Sequence, residues 1–103
     1  GIAYVVGDDG AMIRGRKDEW HVLHTGRGEN LMDVAVYDQQ VYTVTDFRIP
    51  VLDGEKLVNA VNFADAKDRP ATCLHLIAGS DTIFSVGTKD IFRLVNKAWE
   101  RVA

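Results

Sequence analysis

A shift of 42 residues superimposes the middle of the chain on its last third without a gap. The run Val41-Tyr42-Thr43-Val44 then falls on Ile83-Phe84-Ser85-Val86, 42 positions later. Other apolar pairs in the same frame are Leu31 with Cys73, Val34 with Leu76, Ile49 with Ile91, Leu52 with Leu94, and Leu57 with Trp99. An internal period of this length is typical of solenoids, propellers or arrays, in which one structural unit recurs.

The first part of the chain follows the same template but starts late. Residues 3–7 parallel residues 83–87, and Trp20 parallels Trp99. No segment before Gly1 corresponds to residues 31–37. The sequence therefore predicts three units, at about 1–30, 31–72 and 73–103, and the first is expected to lack its opening strand.

Each unit contains short runs rich in Val, Ile, Tyr, Phe and Thr, separated by turn residues, which is the pattern of β-strands. In the second unit the predicted strands are residues 31–37, 40–45, 48–52 and 56–62. Asp38-Gln39 joins the first pair, and Asp53-Gly54 predicts a two-residue hairpin turn. Residues 62–68 are predicted to form a loop because charges and Pro70 disfavour a helix there. The predicted fold class is all-β.

Four antiparallel strands in a repeat of about 40 residues match the blade of a β-propeller, and the sequence predicts about three such blades. The aromatics Tyr4, Tyr42 and Phe84 share one repeat position and would fill the space between adjacent sheets. Trp20 and Trp99 would cover the outer strands. The alternative is a single closed or sandwiched β domain of about eleven short strands, for which 103 residues are enough.

A short motif recurs near the end of the units. It reads Val6-Gly7, then Ile13-Arg14 and Trp20 in the first unit, and Val86-Gly87, then Ile91-Phe92-Arg93 and Trp99 in the third. The second unit departs from it, with Thr45 for the glycine and Leu57 for the tryptophan. This motif resembles the BNR-like and photosystem-assembly-factor-like propeller repeats over nearly the whole chain. The resemblance implies a fold far more than a function.

Three blades cannot close a ring, because propellers typically have four to eight. We therefore expect a non-catalytic interaction or assembly scaffold that completes a ring by self-association or with another propeller segment, and that has a possible protein partner. One alternative is a glycan-binding propeller whose sugar pockets use Trp20 and Trp99. Another, implied by the BNR resemblance, is a fragment of a sialidase-like glycosidase that uses Arg14, Arg48 and Arg93.

Residues that would indicate catalysis, a metal or a cofactor do not form known patterns. No Gly-x-Ser-x-Gly elbow is present, and His21 and His24 would point to opposite faces of a strand. A net charge of −3 disfavours a nucleic-acid surface, and no apolar run has the length of a membrane span. The lone Cys73 lies in an apolar stretch, where we expect it to be buried, and it favours the cytosol over a disulfide-rich setting.

Binding is expected at the loops that link the strands at one end of each unit: residues 7–10, 45–48 and 87–90, with 24–30 and 62–72. Loops held by a rigid scaffold are where function concentrates. The candidate binding residues are Arg27, Asp46, Phe47, Arg48, Arg69 and Lys89. Phe47 is an aromatic in a polar loop, where inward packing is the first expectation and an exposed anchor for a partner is the alternative.

Overall fold

The computed structural model describes residues 1–59 and 61–103, which form three β-sheets. Sheet 1 contains β1 (Ala3–Val6), β2 (Met12–Arg16) and β3 (Glu19–Val22), with a 3₁₀ turn at Asp8–Gly10. Sheet 2 contains β4 (Asp33–Tyr37), β5 (Gln40–Val44), β6 (Val51–Asp53) and β7 (Lys56–Val58). Sheet 3 contains β8 (Asn62–Phe63), β9 (His75–Ala78), β10 (Ile83–Val86), β11 (Ile91–Val95) and β12 (Ala98–Arg101). The all-β class predicted from the sequence is confirmed.

Sheets 2 and 3 have the same strand register, displaced by 42 residues. Asp33 pairs with Val44 in sheet 2, and His75 pairs with Val86 in sheet 3. The outer hairpins agree as well, with Leu52 opposite Leu57 and Leu94 opposite Trp99. The loops that follow β5 and β10 are closed by corresponding bonds of 2.9 Å, from Thr45 N to the Arg48 carbonyl and from Gly87 N to the Asp90 carbonyl. The backbone of the two sheets is therefore built alike.

Two apolar clusters separate the three sheets. Between sheets 1 and 2 lie the buried residues Met12, Leu23, Leu31, Val41 and Leu57. Between sheets 2 and 3 lie Tyr42, Val44, Ile49, Cys73, Leu76, Ile83, Phe92 and Trp99. Because neighbouring residues of a strand point to opposite faces, Val41 and Tyr42 of β5 enter different clusters. Sheet 2 is thus covered on both faces, and it is the middle layer of the stack.

The inner strands are also joined by a side chain. Asp33 in β4 accepts a hydrogen bond of 2.8 Å through Oδ2 from the backbone N–H of Leu76 in β9. Its other oxygen accepts from the N–H of Val34, also at 2.8 Å. A carboxylate that accepts two backbone N–H bonds fixes the position of sheet 3 against sheet 2.

The outer face of sheet 1 is apolar and exposed. Val5 and Val22 lie in one cross-strand row with Ile13, and Val5, Trp20 and Val22 are 50%, 43% and 65% exposed. Trp20 and Trp99 hold matching positions, opposite Gly15 and Leu94. Trp99 is fully buried against sheet 2, whereas no described sheet covers Trp20. The two tryptophans thus lie on the outer strands, as predicted, but only Trp99 is also enclosed by a neighbouring sheet.

Several predicted strand limits are wrong. The run 31–37 forms a strand only from Asp33. Of the run 56–62, Lys56–Val58 and Asn62 lie in strands, and residue 60 lies outside the described residues. The run 48–52 is replaced by Val51–Asp53. Pro50 precedes that last strand, and it has no N–H to donate to a ladder. Its carbonyl still accepts a 2.9 Å bond from the N–H of Thr43.

The segment 62–68, predicted as a loop, contains the two-residue strand β8. It pairs in parallel with β12, with Asn62 opposite Ala98. The N–H of Ala64 then donates a 2.8 Å bond to the carbonyl of Trp99. The linker from sheet 2 therefore runs along the outer edge of sheet 3 before it returns to β9.

Two-residue turns join half of the hairpins among the described residues. Asp38 and Gln39 both have positive φ, at 49° and 62°, as a type I′ turn requires. Between β6 and β7 the turn residues are Gly54 and Glu55, since Asp53 still pairs with Lys56. The predicted Asp53-Gly54 turn is therefore displaced by one residue, and the φ of +65° at Gly54 explains why glycine is suited there.

Cys73 is fully buried, as predicted, and burial raises the pKa of its thiol to about 11 from the ordinary 9.0. We expect the native protein to react with a thiol-specific reagent at least tenfold more slowly than the unfolded protein does. Because the folded pKa is raised, the thiol also favours the folded state below pH 9, and this contribution is lost as the pH rises to about 11. Labelling kinetics with and without denaturant check this; equal rates would contradict it.

Candidate functional site

The loop after β5 is held rigidly and presents an aromatic side chain to solvent. The Thr45 hydroxyl accepts a 3.1 Å bond from the N–H of Arg48, and the Thr45 N–H donates to the Arg48 carbonyl at 2.9 Å. Thr45 itself is buried, so the loop is anchored in the sheet. Phe47 at the tip is 53% exposed. The first expectation for Phe47, inward packing, is therefore wrong.

A shallow depression of about 280 Å³ lies beside this loop. One wall comes from the loop itself and the other from the segment that links sheet 2 to sheet 3. Its lining residues are Phe47, Arg48, Ile49, Asn59, Val61, Phe63 and Arg69. Ile49 is buried, and Val61 and Phe63 are half-buried, so the depression has an apolar base with polar and charged side chains around it.

Both arginines of the depression lie against aromatic rings. The guanidinium carbon of Arg48 is 5.5 Å from the centre of the Phe47 ring, and that of Arg69 is 4.8 Å from the centre of the Phe63 ring. Arg69 also donates a 3.1 Å bond through Nε to the carbonyl of Ala66. Stacking of this kind orients a guanidinium while its N–H edge can still bind a carboxylate.

Neither of these arginines forms an ion pair within the part of the chain that the structure describes. The nearest acidic residue in sequence to Arg69 is Asp68, and Arg101 binds it at 2.7 Å. Those hydrogen bonds from Arg101 hold the pKa of Asp68 below its usual range. Asp68 is thus already paired with Arg101, and the positive charge of Arg69 remains available to a partner.

Arg27 borders the depression through Asn59, to which it donates a hydrogen bond through Nη2. Its Nη1 is 3.0 Å from Glu29 Oε1, so its charge is compensated. The carbonyl of Arg27 lies against Gly10, where a β-carbon would clash with it. The hydroxyl of Thr25 adds a 2.9 Å bond to the Gly10 carbonyl. The turn in sheet 1 therefore determines where Arg27 lies.

The structure brings together four of the six candidate binding residues: Arg27, Phe47, Arg48 and Arg69. Asp46 is exposed beside Phe47 but does not line the depression, and its carbonyl accepts a 2.6 Å bond from the N–H of Cys73. Lys89 is exposed in the loop after β10, also outside the lining.

Sequence reasoning missed the rest of the lining. Asn59 and Val61 lay in a run predicted as strand, so they were not considered as loop residues. Phe63 lies in the segment 62–72, which the sequence predicts as a binding loop, but the residue itself is not among the six candidates. The sequence does contain an indication of a binding site in this segment, because the aromatic Phe63 is followed six positions later by Arg69.

A larger hollow of about 530 Å³ lies at the opposite strand ends, among the turns after β4, β9 and β11. The arginine in it, Arg93, is 3.0 Å from Glu100 and is thereby neutralised. It also contains Asp38 and Asp81, so its charges are mixed. The depression at Phe47 is the stronger candidate because its arginines are free.

Residues 1–59 and 61–103 contain no group of three or more His, Cys, Asp or Glu side chains arranged to hold a metal ion. In the same residues, no helix has the length and apolar character needed to cross a membrane.

An immune protein, Tsi7 of Pseudomonas aeruginosa, is 31% identical to this chain over 103 residues. The match covers 99% of the chain and 33% of the relative, so the chain spans about a third of the length of that protein. No protein-family model matches the chain. No solved structure matches it either.

This similarity contradicts the function predicted from the sequence. A propeller module that completes a ring was expected, whereas the relative that matches the chain from end to end is an immune protein. The glycan-binding alternative also fails physically, because Trp99 is fully buried and cannot stack on a sugar. The glycosidase alternative needs converging arginines, but Arg14 and Arg93 lie in different sheets, and Arg93 is paired with Glu100.

Proposed function

We propose that this chain is part of an immunity protein, which protects a bacterial cell by binding a toxin protein and blocking it. The observation that carries the proposal is the 31% identity to an immune protein over 99% of the chain. Because the chain spans about a third of that relative, the activity is proposed for the whole protein that contains it.

The depression at Phe47 is the proposed contact with the toxin. Its volume of about 280 Å³ is below the range of about 300–1,000 Å³ that is usual for small-molecule pockets, which favours contact with another protein. Phe47 can supply an aromatic anchor that becomes buried when the toxin binds. Arginine, present here at two positions, is also enriched in binding hot spots. Arg27, Asp46 and Lys89 are proposed to lie at the polar rim of the same interface.

We further propose that the three sheets are blades of a propeller-like array, of the BNR-like type that the motif resembles. The common register of sheets 2 and 3 supports this, and so does the packing of sheet 2 on both faces. In such an array the loops at residues 7–10, 45–48 and 87–90 lie at one end of the strands. The contact surface would then extend across neighbouring sheets.

The proposal is tested by expressing the protein that contains this chain together with a candidate toxin protein. We expect cells to survive toxin induction, and the two proteins to co-purify as a stoichiometric complex. A variant with Phe47→Ala should weaken the complex by about 2 kcal/mol, the typical cost of losing a hot-spot aromatic. Cells that die despite a soluble, folded protein would show that it provides no immunity against that toxin.

A further inference from the structure

We propose that the depression between Phe47 and Phe63 binds an acidic segment of the toxin, in which one or two carboxylates flank an apolar side chain. This inference rests on the proposed function, and it adds the chemistry of the partner. Arg48 and Arg69 would bind the carboxylates, and Phe47 and Phe63 would contact the apolar side chain.

The charges in the depression carry the inference. Arg27, Arg93 and Arg101 each have a carboxylate within 3.0 Å. Arg48 and Arg69 have none within 4.0 Å among the described residues, and none of the seven lining residues is acidic. The depression is therefore locally positive on a chain whose net charge is −3. A local charge of opposite sign to the whole molecule directs a partner of complementary charge to that surface.

The geometry of the arginines favours carboxylates in particular. Each guanidinium is held beside an aromatic ring, at 5.5 Å for Arg48 and 4.8 Å for Arg69. A guanidinium oriented in advance loses little side-chain entropy when it forms two parallel hydrogen bonds with a carboxylate. Phe47 is 53% exposed and Phe63 is half-buried, so the two rings leave apolar area that a polar ligand alone would not cover.

Phosphate groups would match the same arginines, so nucleic acid is the competing ligand. A nucleic-acid surface needs a longer row of cations, because affinity grows with the number of phosphates that are neutralised. The depression offers two uncompensated arginines, and the chain as a whole is acidic. An acidic protein segment fits these charges better.

The test is the double charge reversal Arg48→Glu with Arg69→Glu, made in the full protein. The matched control is Lys17→Glu with Lys97→Glu, which makes the same charge change in the turns after β2 and β11. Those turns are at the strand ends remote from the loops at residues 7–10 and 87–90. We expect the Kd for the toxin to rise at least about thirtyfold in the first double variant and less than about threefold in the control.

Two further readouts separate this binding mode from a structural effect. Raising the salt concentration should weaken wild-type binding much more than binding by the Arg48→Glu/Arg69→Glu variant. Arg48→Lys with Arg69→Lys should give an intermediate Kd, since lysine keeps the charge but not the paired hydrogen bonds. Unchanged thermal unfolding temperatures would show that the variants are folded.

The outcomes distinguish the two proposals. If the wild-type protein does not bind the toxin, the proposed function fails, and this inference fails with it. If it binds and both double reversals bind equally well, the function stands and the acidic-segment inference is overturned. Displacement of the toxin by a short DNA or RNA oligonucleotide would also overturn it, since phosphates would then be the ligand.

Discussion

Replacing Trp99 with alanine should lower the free energy of unfolding by about 3–5 kcal/mol, the usual cost of removing a buried tryptophan. Trp99 is fully buried between sheets 2 and 3, and its ring meets Tyr42 edge-on with centroids 6.1 Å apart. Its indole N–H has no acceptor among the described residues, so its contribution comes from packing. A loss of this size is a large part of the 5–15 kcal/mol that stabilises a typical domain. Urea unfolding followed by fluorescence or circular dichroism measures it.

Trp20→Ala is the matched control for this prediction. Trp20 holds the corresponding position in sheet 1, but it is 43% exposed, and its Nε1 donates a 2.8 Å bond to the carbonyl of Lys17. We expect this substitution to lower the free energy of unfolding by about 1 kcal/mol, because much of the Trp20 ring is already in water in the folded protein. A cost similar to that of Trp99→Ala would mean that the outer face of sheet 1 is covered in the protein, and that the exposure described above is wrong.

Replacing Gly10 with alanine should destabilise the protein by about 2–4 kcal/mol and weaken toxin binding. Gly10 has a φ of +73°, a conformation that costs an L-residue about 1–2 kcal/mol. A β-carbon would also clash with the backbone carbonyl of Arg27, which cannot yield as a flexible side-chain tip can. Displacing that segment moves Arg27 away from Asn59 at the edge of the depression. Urea unfolding and the toxin Kd are the two measurements.

Gly54→Ala separates the cost of the backbone conformation from the cost of the clash. Gly54 has a similar φ of +65°, but a β-carbon there would meet no atom within 4 Å. We expect it to cost about 1 kcal/mol from the backbone conformation alone, with no change in toxin binding. Equal effects of the two substitutions would show that the Arg27 segment moves aside freely, and that Gly10 does not position it.

The sequence was sufficient to predict the fold class, and it located most strands because turn residues and β-branched runs alternate along the chain. The Asp38-Gln39 turn could be read directly, since such a turn joins adjacent runs. Strand β8 could not be predicted, because two residues carry no periodicity and their pairing with β12 depends on a partner 36 positions away, from Asn62 to Ala98. The exposure of Trp20 could not be predicted from the sequence either, since it depends on what packs against sheet 1.

The candidate site was predictable in its loops and charges but not in its apolar base. Phe47, Arg48 and Arg69 stood out as charged or aromatic residues in polar segments. Whether Phe47 points outward depends on the bond between Thr45 and Arg48, which closes the loop beneath it. Asn59 and Phe63 join the site because the linker runs along the edge of sheet 3, and no local pattern reveals that course.

The tight turns at the opposite end of the strands have a consequence for how such a protein can evolve. Turns such as Asp38-Gln39 and Asn96-Lys97, with positive φ at both positions, determine the strand register there. The exposed residues at 46–48 and 65–69 can then change in sequence without moving the sheets. Under the proposed function, we expect related chains that bind different toxins to diverge at those residues and to keep the turns, so that one scaffold can acquire new specificities in few mutational steps.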